Sequence, residues 1–293
     1  MPAAETTQRA ALRFRRVLVA LDSSAASDAT LEVAAGLAAA TASELAGLFV
    51  EDQDLLRLAE LPFAREIQLT KALTRALEPA LVLQDLRAQA AVAREAMARQ
   101  AALHRVSWSF QVTQGRSEDA IFLAAAAGDI IAVARGFGPL ARFGRVSREL
   151  RALAARAPGP LLLAGDGGGG RPGTVLLPYD ASPAAEGMLA IASDLAQVRR
   201  EPLEIMLLGE TAPPMEDIAN HIRAASGKSR IAELRVWVPR DRRAALHRLC
   251  EVDRGLLVLP ADEPYFENGQ VEQIIERAKV PIVLQSEKES QGR

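Results

Sequence analysis

Short apolar runs of strand length alternate along the chain with longer segments that match amphipathic helices. Each of these longer segments carries apolar residues three and four positions apart, which is typical of a helix with one buried face. Because alternating strands and helices form βαβ units, the pattern predicts an α/β protein with parallel strands. In the first part of the chain the predicted strands lie at 17–21, 45–50, around Trp108, at 130–133 and at 161–163.

The same pattern returns in the second part of the chain. Residues 17–24 align with 175–182, and the register then continues without a gap to Leu45 and Leu203. We therefore expect two copies of one five-stranded unit. The remaining strands of the second copy are predicted around Trp237, at 256–259 and at 282–284. Both tryptophans are expected to pack in the core, where an aromatic ring contributes much apolar area.

A glycine-rich segment separates the two copies. It contains four consecutive glycines at 167–170 and ends at Gly173, so it has wide backbone freedom and almost no side chain to pack. We expect a first domain at 1–166, a linker at 167–173 and a second domain at 174–293. Each domain is predicted to be a Rossmann-like α/β unit, with a five-stranded, mostly parallel sheet flanked by helices.

The first domain carries an insertion between its second and third strands. Residues 52–104 include a break at Pro62 and then a long helical pattern that starts near Pro79 and runs to His104. The corresponding segment of the second domain, 213–227, is much shorter. The insertion has two interpretations. It is either a helical cover over extra sheet surface or a lid over the carboxyl ends of the strands, where open α/β sheets bind ligands.

Composition narrows the range of partners. The 293 residues carry 35 Lys and Arg against 37 Asp and Glu, a net charge of -2, so no overall field attracts nucleic acid or an anionic membrane. No apolar stretch has the length of a membrane span, and the N-terminus lacks the apolar core of a secretory signal. The single cysteine, Cys250, excludes an internal disulfide and fits a small buried side chain. We expect a cytoplasmic protein.

Three stretches of the sequence together resemble the universal stress protein family, here as a tandem pair in one chain. They are the strand and Asp-Ser turn at 17–24, the strand end at 47–52, and the Ala-Pro-Gly-Pro segment with its strand at 157–163. The resemblance covers nearly the whole chain. It implies two adenine nucleotide alpha hydrolase-like domains arranged as a pseudo-dimer, which meet along their last strands at Leu161 and Ile282. It also leaves room for two chains to form a further homodimer.

The resemblance also implies a binding site for ATP, accompanied by Mg²⁺, in those family members that bind nucleotide. Their adenosine lies near the ends of the first two strands, which here are Ala20, Asp22 and Val50. Their phosphates lie on a glycine-rich loop after the fourth strand, whose amides and hydroxyl bind anions. The corresponding residues in this chain are Gly136, Gly138, Gly144, Arg145 and Ser147.

The loop departs from the family's spacing, which is Gly, two residues, Gly, nine residues, and then Gly with Ser or Thr. Only five residues separate Gly138 from Gly144, and Arg145 replaces the hydroxyl residue, with Ser147 at a shifted position. An alternative interpretation is therefore that the glycines form a tight turn. The nearby arginines either supply charge to an anion or form a solvated rim; they are Arg135, Arg142, Arg145 and Arg148.

Two aspartates have a similar pair of interpretations. Asp22 and Asp180 end the first strands of the two halves, where the family binds base and ribose, but each can also accept hydrogen bonds in its own turn. The loop of the second half has Pro260 in place of a glycine. It also carries three carboxylates, which would repel phosphate; they are Asp262, Glu263 and Glu267. We expect no nucleotide in the second half.

Dinucleotide binding, metal binding and catalysis have little support in the sequence. Residues 136–141 match the GxGxxA pattern of dinucleotide-binding proteins, but at a fourth strand instead of a first. The histidines, His104, His221 and His247, share no metal-ligand spacing. No catalytic group can be assigned, so the sequence favours a binding protein over an enzyme. We expect a stress-response or signalling protein with ATP in its first domain. The alternative is an interaction protein that binds no nucleotide and holds a protein partner through the insertion at 52–104.

Overall fold

The computed structural model describes residues 14–22, 25–68, 73–135, 146–164, 172–208, 233–261, 266 and 269–286. The strands in these ranges are β1 (Arg16–Leu21), β2 (Glu44–Asp52), β3 (Arg65–Gln68), β4 (Leu73–Ala76), β5 (Trp108–Gly115), β6 (Asp129–Ala134), β7 (Leu161–Ala164), β8 (Thr174–Tyr179), β9 (Leu203–Leu207), β10 (Leu234–Trp237), β11 (Gly255–Pro260) and β12 (Ile282–Gln285). The helices are α1 (Ala25–Thr41), α2 (Gln53–Ala59), α3 (Pro79–His104), α4 (Ser117–Ala124), α5 (Val146–Arg156), α6 (Pro183–Arg199), α7 (Arg242–Glu251) and α8 (Gln270–Arg277).

A single ten-stranded sheet runs through both halves of the chain. Its order is β10-β9-β8-β11-β12-β7-β6-β1-β2-β5, so each half contributes five strands in the same order. All neighbouring strands in this sheet are parallel except β7 and β12. The predicted α/β fold is thus confirmed, with two repeats of a five-stranded, mostly parallel unit. The predicted linker, 167–173, lies mostly outside the described residues.

The antiparallel pair of β7 and β12 is the seam between the halves. Leu162 lies opposite Val283, and the pairs on either side of it are also apolar and buried. The predicted seam is therefore confirmed. Because the sequence repeat aligns Leu162 with Val283, an approximate twofold axis passes through this pair. The carboxyl ends of the parallel strands consequently point one way in the first half and the opposite way in the second.

Two large apolar clusters cover the two faces of the sheet, and each contains residues of both halves. One face packs against α1, α3 and α6, with Leu31, Met97 and Leu189 among its fully buried side chains. The other packs against α4, α5, α7 and α8. Strands covered on both faces need continuous apolar runs, and β6 and β11 have no exposed residue along their length. The apolar cluster on each face of the sheet is therefore continuous across the two halves.

The insertion combines a buried helix with an exposed segment. The helix α3 begins at Pro79 and ends at His104, as the sequence predicted, and Arg105 closes it in the left-handed conformation. Its buried residues, which include Ala93 and Met97, belong to the main core. The interpretation of the insertion as a cover is confirmed for α3. The hairpin of β3 and β4 was not expected from the sequence.

The two tryptophans occupy different environments. Trp237 is partly buried and packs against the core, in line with the prediction. Trp108 is 37% exposed, so its prediction as a core residue was wrong. Trp108 is the first residue of β5, a strand on which no residue is fully buried. Trp237 lies on β10, the other edge strand of the sheet, so the edge position alone does not explain the difference.

Candidate functional site

The candidate site lies where the carboxyl ends of β1 and β6 meet. From β1 the chain moves outward to β2 and β5, and it then returns to place β6 on the other side of β1. This reversal creates a switch point between β1 and β6, where the connections that follow the two strands diverge. Open α/β sheets bind ligands in the crevice that forms at such a point. Asp22 directly follows β1 and Arg135 directly follows β6, so the two residues flank it.

Asp22 belongs to a turn that is held by α1. Its backbone N–H donates a hydrogen bond to the Oγ of Ser27 over 3.0 Å, and Ser27 is almost fully buried in the first turns of α1. The side chain of Asp22 is partly buried, and it has a further interaction of its own. Residues 23 and 24 lie outside the described ranges. The end of β1 is therefore fixed in position by the helix that follows it.

Ala20 and Val50 form part of an apolar floor at this end of the sheet. Both side chains are buried, and both belong to the cluster on the face covered by α4 and α5. Parallel pairing of β1 and β2 places their carboxyl ends side by side. Ala20 is fully buried and Val50 is 8% exposed, so both side chains pack beneath the helices and leave little apolar surface at this end of the sheet.

The end of β2 leads directly into the insertion. Asp52 caps α2, since its Oδ1 accepts a hydrogen bond from the backbone N–H of Asp54 over 2.8 Å. The carboxylate of Asp54 lies 3.8 Å from Arg116, which follows β5. These contacts place α2 at the same carboxyl end of the sheet as Asp22. The lid interpretation of the insertion thus concerns α2 and the turn after it, not the buried α3.

The glycine-rich loop itself lies outside the described residues. Gly136, Gly138, Gly144 and Arg145 fall in the segment 136–145, for which no structure is given. Ser147 lies in the first turn of α5, where its backbone is described and its side chain is not. The structure therefore brings together Ala20, Asp22 and Val50, and it locates the two ends of the loop at Arg135 and at the start of α5.

Arg135 does not form part of a solvated rim. Its guanidinium donates from Nη1 to the carbonyl oxygen of Ala278 and from Nη2 to that of Val280. Both carbonyls belong to the turn between α8 and β12 in the second half. Neither of the two functions considered for this arginine, anion binding or surface solvation, agrees with this geometry. Contacts between distant parts of a chain have no local signal, which is why the sequence could not reveal them.

In the second half, the end of β8 forms hydrogen bonds within its own turn and with α6. The Oδ1 of Asp180 accepts a hydrogen bond from the N–H of Ser182 over 2.9 Å, which is the turn-acceptor role considered for this residue. The hydroxyl of the buried Tyr179 donates to Glu186. Burial and the neighbouring Glu186 raise the pKa of Tyr179 well above its usual range. Tyr179 and Glu186 are thus hydrogen-bonded to each other. The carboxylates at 262, 263 and 267 lie outside the described residues.

The described residues were also compared with the requirements of a metal site, a reactive thiol and a membrane-spanning helix. No group of three His, Cys, Asp or Glu side chains there is arranged to hold a metal ion. Cys250 is buried, and its burial raises the pKa of the thiol, which disfavours the reactive thiolate. Among the described helices, none combines the length and apolar character that crossing a membrane requires.

Comparison with solved structures gives matches along nearly the whole chain. A universal stress protein from Archaeoglobus fulgidus DSM 4304 matches with a TM-score of 0.64 and 16% identity, covering 94% of this chain and 98% of that one. A functionally unknown protein from Pseudomonas aeruginosa PAO1 matches with a TM-score of 0.54 and 16% identity, over 96% and 99% of the two chains. A candidate universal stress protein from Pseudomonas aeruginosa UCBPP-PA14 gives 0.53 and 15%, over 95% and 98%.

These matches establish the fold that the resemblance implied. At identities of 15% and 16% they carry no information about ligands. No protein-family model and no curated protein matches the chain by sequence. The function must therefore be argued from the residues of the site.

Proposed function

We propose that this chain, which has the fold of the universal stress proteins, is a cytoplasmic stress-response or signalling protein that binds ATP in its first half. One observation carries the proposal: the glycine-rich segment 136–145 starts where β6 ends, beside β1, at the switch point of the first half. Backbone amides in such a segment can approach an anion closely because glycine has no side chain. The domain boundaries proposed above, 1–166 and 174–293, assign this site to the first domain.

The residues around the switch point suit the parts of an adenine nucleotide. Asp22 lies at the end of β1 at the switch point, and Val50, beyond the end of β1 on the neighbouring β2, is 8% exposed, so it leaves only a small apolar surface beside the base. The helix α5 includes Ser147 in the first turn that the structure describes, and the amides of a helix N-terminus would add partial positive charge for the phosphates. Mg²⁺ would bind the phosphate oxygens and neutralise part of their charge. We propose binding without catalysis, since none of the described residues at the switch point is placed as a base.

The first test is thermal unfolding of the purified protein with and without ATP and Mg²⁺. A ligand at about 100 times its Kd stabilises the folded state by roughly 2.7 kcal/mol, which raises Tm by several degrees. Mass spectrometry of small molecules released on denaturation provides an independent readout. No shift and no released nucleotide would count against the proposal.

A substitution in the loop sharpens this test. Gly144→Val should abolish ATP binding, because a branched side chain blocks close approach of the backbone to the phosphates. Gly36→Val is the control. Gly36 lies on α1, where we propose no nucleotide, and the nearest atom outside its own helix backbone, Cε1 of His104, lies 3.8 Å from its Cβ position. Loss of ATP binding in both variants, or in neither, would contradict the placement of the site.

A second function is favoured by a specific observation on the insertion. The helix α2 and the turn after it expose four large apolar side chains, and Phe63 alone is 75% exposed. They are Leu55, Leu58, Leu61 and Phe63. Exposed apolar side chains that lie this close together are characteristic of protein interaction sites. The alternative proposal is that this surface holds a protein partner and that no nucleotide binds.

The structure changes how this alternative must be tested. Deletion of 52–104 is not a suitable variant, because it would remove α3, which contributes buried residues to the main core. The appropriate variant is the pair Leu58→Asp and Phe63→Asp in the full chain. It should lose the partner in a pull-down while the unfolding curve stays unchanged. An identical set of captured proteins would argue against the alternative.

A further inference from the structure

The ten-stranded sheet ends in two edge strands, β5 in the first half and β10 in the second. The two strands are counterparts in the repeat, since Trp108 pairs with Leu45 on β2 as Leu234 pairs with Leu203 on β9. An edge strand presents a row of backbone N–H and C=O groups that have no partner in its own sheet, and proteins protect such rows in recognisable ways. The two edges can therefore be compared position by position.

The β10 edge is protected in three ways. The strand has only four residues, against eight in β5. It carries Arg235, which forms an exposed ion pair with Glu233 over 2.9 Å. Pro239, which has no backbone N–H, lies two residues beyond the end of the strand. Short length, charge and proline each disfavour pairing with a further strand, so we expect no strand to add at β10.

The β5 edge has none of these protections. The stretch 106–115, which contains the whole strand, has no charged residue and no proline. None of the eight strand residues is buried, and Val112 is 45% exposed. Among the described strands, β2 is the only neighbour of β5. A long, uncharged and exposed edge of this kind is a template for pairing with another strand.

The backbone groups that point away from the sheet belong to every second residue of β5. The N–H of Leu45 donates to the carbonyl oxygen of Ser107 over 2.9 Å, and Leu45 is paired with Trp108. In a parallel ladder the residues on either side of the paired one make the bonds, so the N–H and C=O of Trp108 point away from β2. The same orientation returns every two residues. These further positions are Phe110, Val112 and Gln114.

We propose that β5 pairs antiparallel with β5 of a second copy of this chain, so that two sheets of ten strands become one continuous sheet. The molecule already contains one joint of this type, because β7 and β12, the inner edges of the two five-stranded units, pair antiparallel at the seam. Around a twofold axis, the side chains of β5 approach those of an identical strand. An uncharged strand tolerates this contact without repulsion. The proposal does not depend on nucleotide binding.

The difference between the two edges also determines the size of the assembly. If β10 could pair with its own copy as well, chains would join at both ends of the sheet and form an open filament. Because β10 is protected, pairing at β5 leaves no suitable edge among the described strands, and the assembly closes at two chains. Self-pairing at β5 thus requires the protection that β10 carries. This agreement favours a second copy as the occupant over a strand of another protein.

The test measures the molar mass of the full-length protein by analytical ultracentrifugation over a range of concentrations. We expect the mass to rise from 31.4 kDa to about twice that value. Val112→Lys should weaken the dimer roughly tenfold or more, because pairing would bring two ammonium groups together and remove them from water. Val238→Lys is the matched control and should leave the dimer unchanged. Val238 is 48% exposed, and it lies as far from Leu234 along the chain as Val112 lies from Trp108.

Hydrogen exchange of the wild type gives a second measurement that needs no variant. Peptides that cover 108–115 should exchange several-fold more slowly at a concentration that populates the dimer than after dilution to the monomer. Peptides that cover 234–237 should exchange equally at both concentrations. This comparison decides the question even if Val112→Lys does not fold.

Three results would overturn the proposal. A wild type that stays at 31.4 kDa at every concentration excludes a second copy, even if β5 then captures a strand of another protein. A dimer that Val112→Lys does not weaken, or whose exchange in 108–115 does not respond to dilution, is assembled through another surface. Equal weakening by Val112→Lys and Val238→Lys would mean that the two edges do not differ as proposed.

Discussion

Leu162 and Val283 lie opposite each other across the seam, and they are also equivalent positions in the two copies of the repeat. Near such an axis a homodimer is restricted to side chains that tolerate their own copy. A tandem chain has no such restriction, because each position can change independently. Leucine opposite valine is a small difference of this kind, and Arg151 opposite Glu272 is a large one. Because the repeats are fused in one chain, equivalent positions of the two halves can carry different, complementary side chains.

Asp129 provides a prediction for stability. Its side chain is fully buried at the start of β6, where it accepts hydrogen bonds from Arg16 Nε and from the backbone N–H of Ala126, both over 2.9 Å. Asp129→Ala leaves these donors without their acceptor and should lower the free energy of unfolding by about 3 kcal/mol. Urea unfolding measures this change. Asp54→Ala, which removes an exposed carboxylate, should alter it by less than about 1 kcal/mol.

Two glycines with positive φ separate backbone strain from steric overlap. Gly255 has φ +98°, and a Cβ there would lie 2.1 Å from the carbonyl oxygen of Thr174. Gly269 has φ +91°, and nothing lies within 4 Å of its Cβ position. Gly269→Ala should cost about 1 kcal/mol from the left-handed backbone alone. Gly255→Ala should cost about 3 kcal/mol, because β8 must move as well. Similar losses in denaturant unfolding of both variants would refute this explanation.

The buried Tyr179 predicts a loss of stability at alkaline pH. Its pKa is raised in the folded state by burial and by Glu186, whereas in the unfolded chain it has the usual value of about 10. The unfolded state therefore releases the proton first, and stability that is complete below about pH 10 declines as the pH rises further. Tyr179→Phe lacks this titration. The difference in unfolding free energy between wild type and Tyr179→Phe should shrink from pH 8 to pH 10.5, and a constant difference would contradict the assignment.

The two parts of the insertion should respond differently to truncation. Met97 on α3 is fully buried, so Met97→Ala should lower the free energy of unfolding by about 3 kcal/mol. Phe63→Ser, in the exposed turn after α2, should change it by less than about 0.5 kcal/mol. Urea unfolding of both variants tests whether α3 belongs to the core while the turn remains a surface. A large loss for Phe63→Ser would mean that this side chain is covered in solution.

The strands were predictable because both faces of the sheet are covered. Continuous apolar runs such as 130–133 have no other common explanation, and the repeat at 256–259 supported each assignment. Trp108 was misplaced because a strand's own residues do not reveal which of its positions the helices cover. The hairpin of β3 and β4 consists of two four-residue strands, too short for a clear alternating pattern. Periodicity is therefore informative only over longer segments.

The candidate site was predictable in position but not in its connections. The sequence placed Asp22 at the end of a strand, and in the structure it directly follows β1. The partners of Arg135 and Arg151 are far away in sequence, and in both cases they include backbone carbonyl oxygens. A carbonyl is present at every residue, so no residue type marks it as a partner. Such contacts become visible only when the two halves are seen together.

The antiparallel seam has a geometric consequence for anything that approaches the protein. Since the strands of the two halves run in opposite directions, the end of the first-half sheet that carries Asp22 and the end of the second-half sheet that carries Asp180 open onto opposite sides of the molecule. A ligand at one of these ends therefore does not contact a ligand at the other.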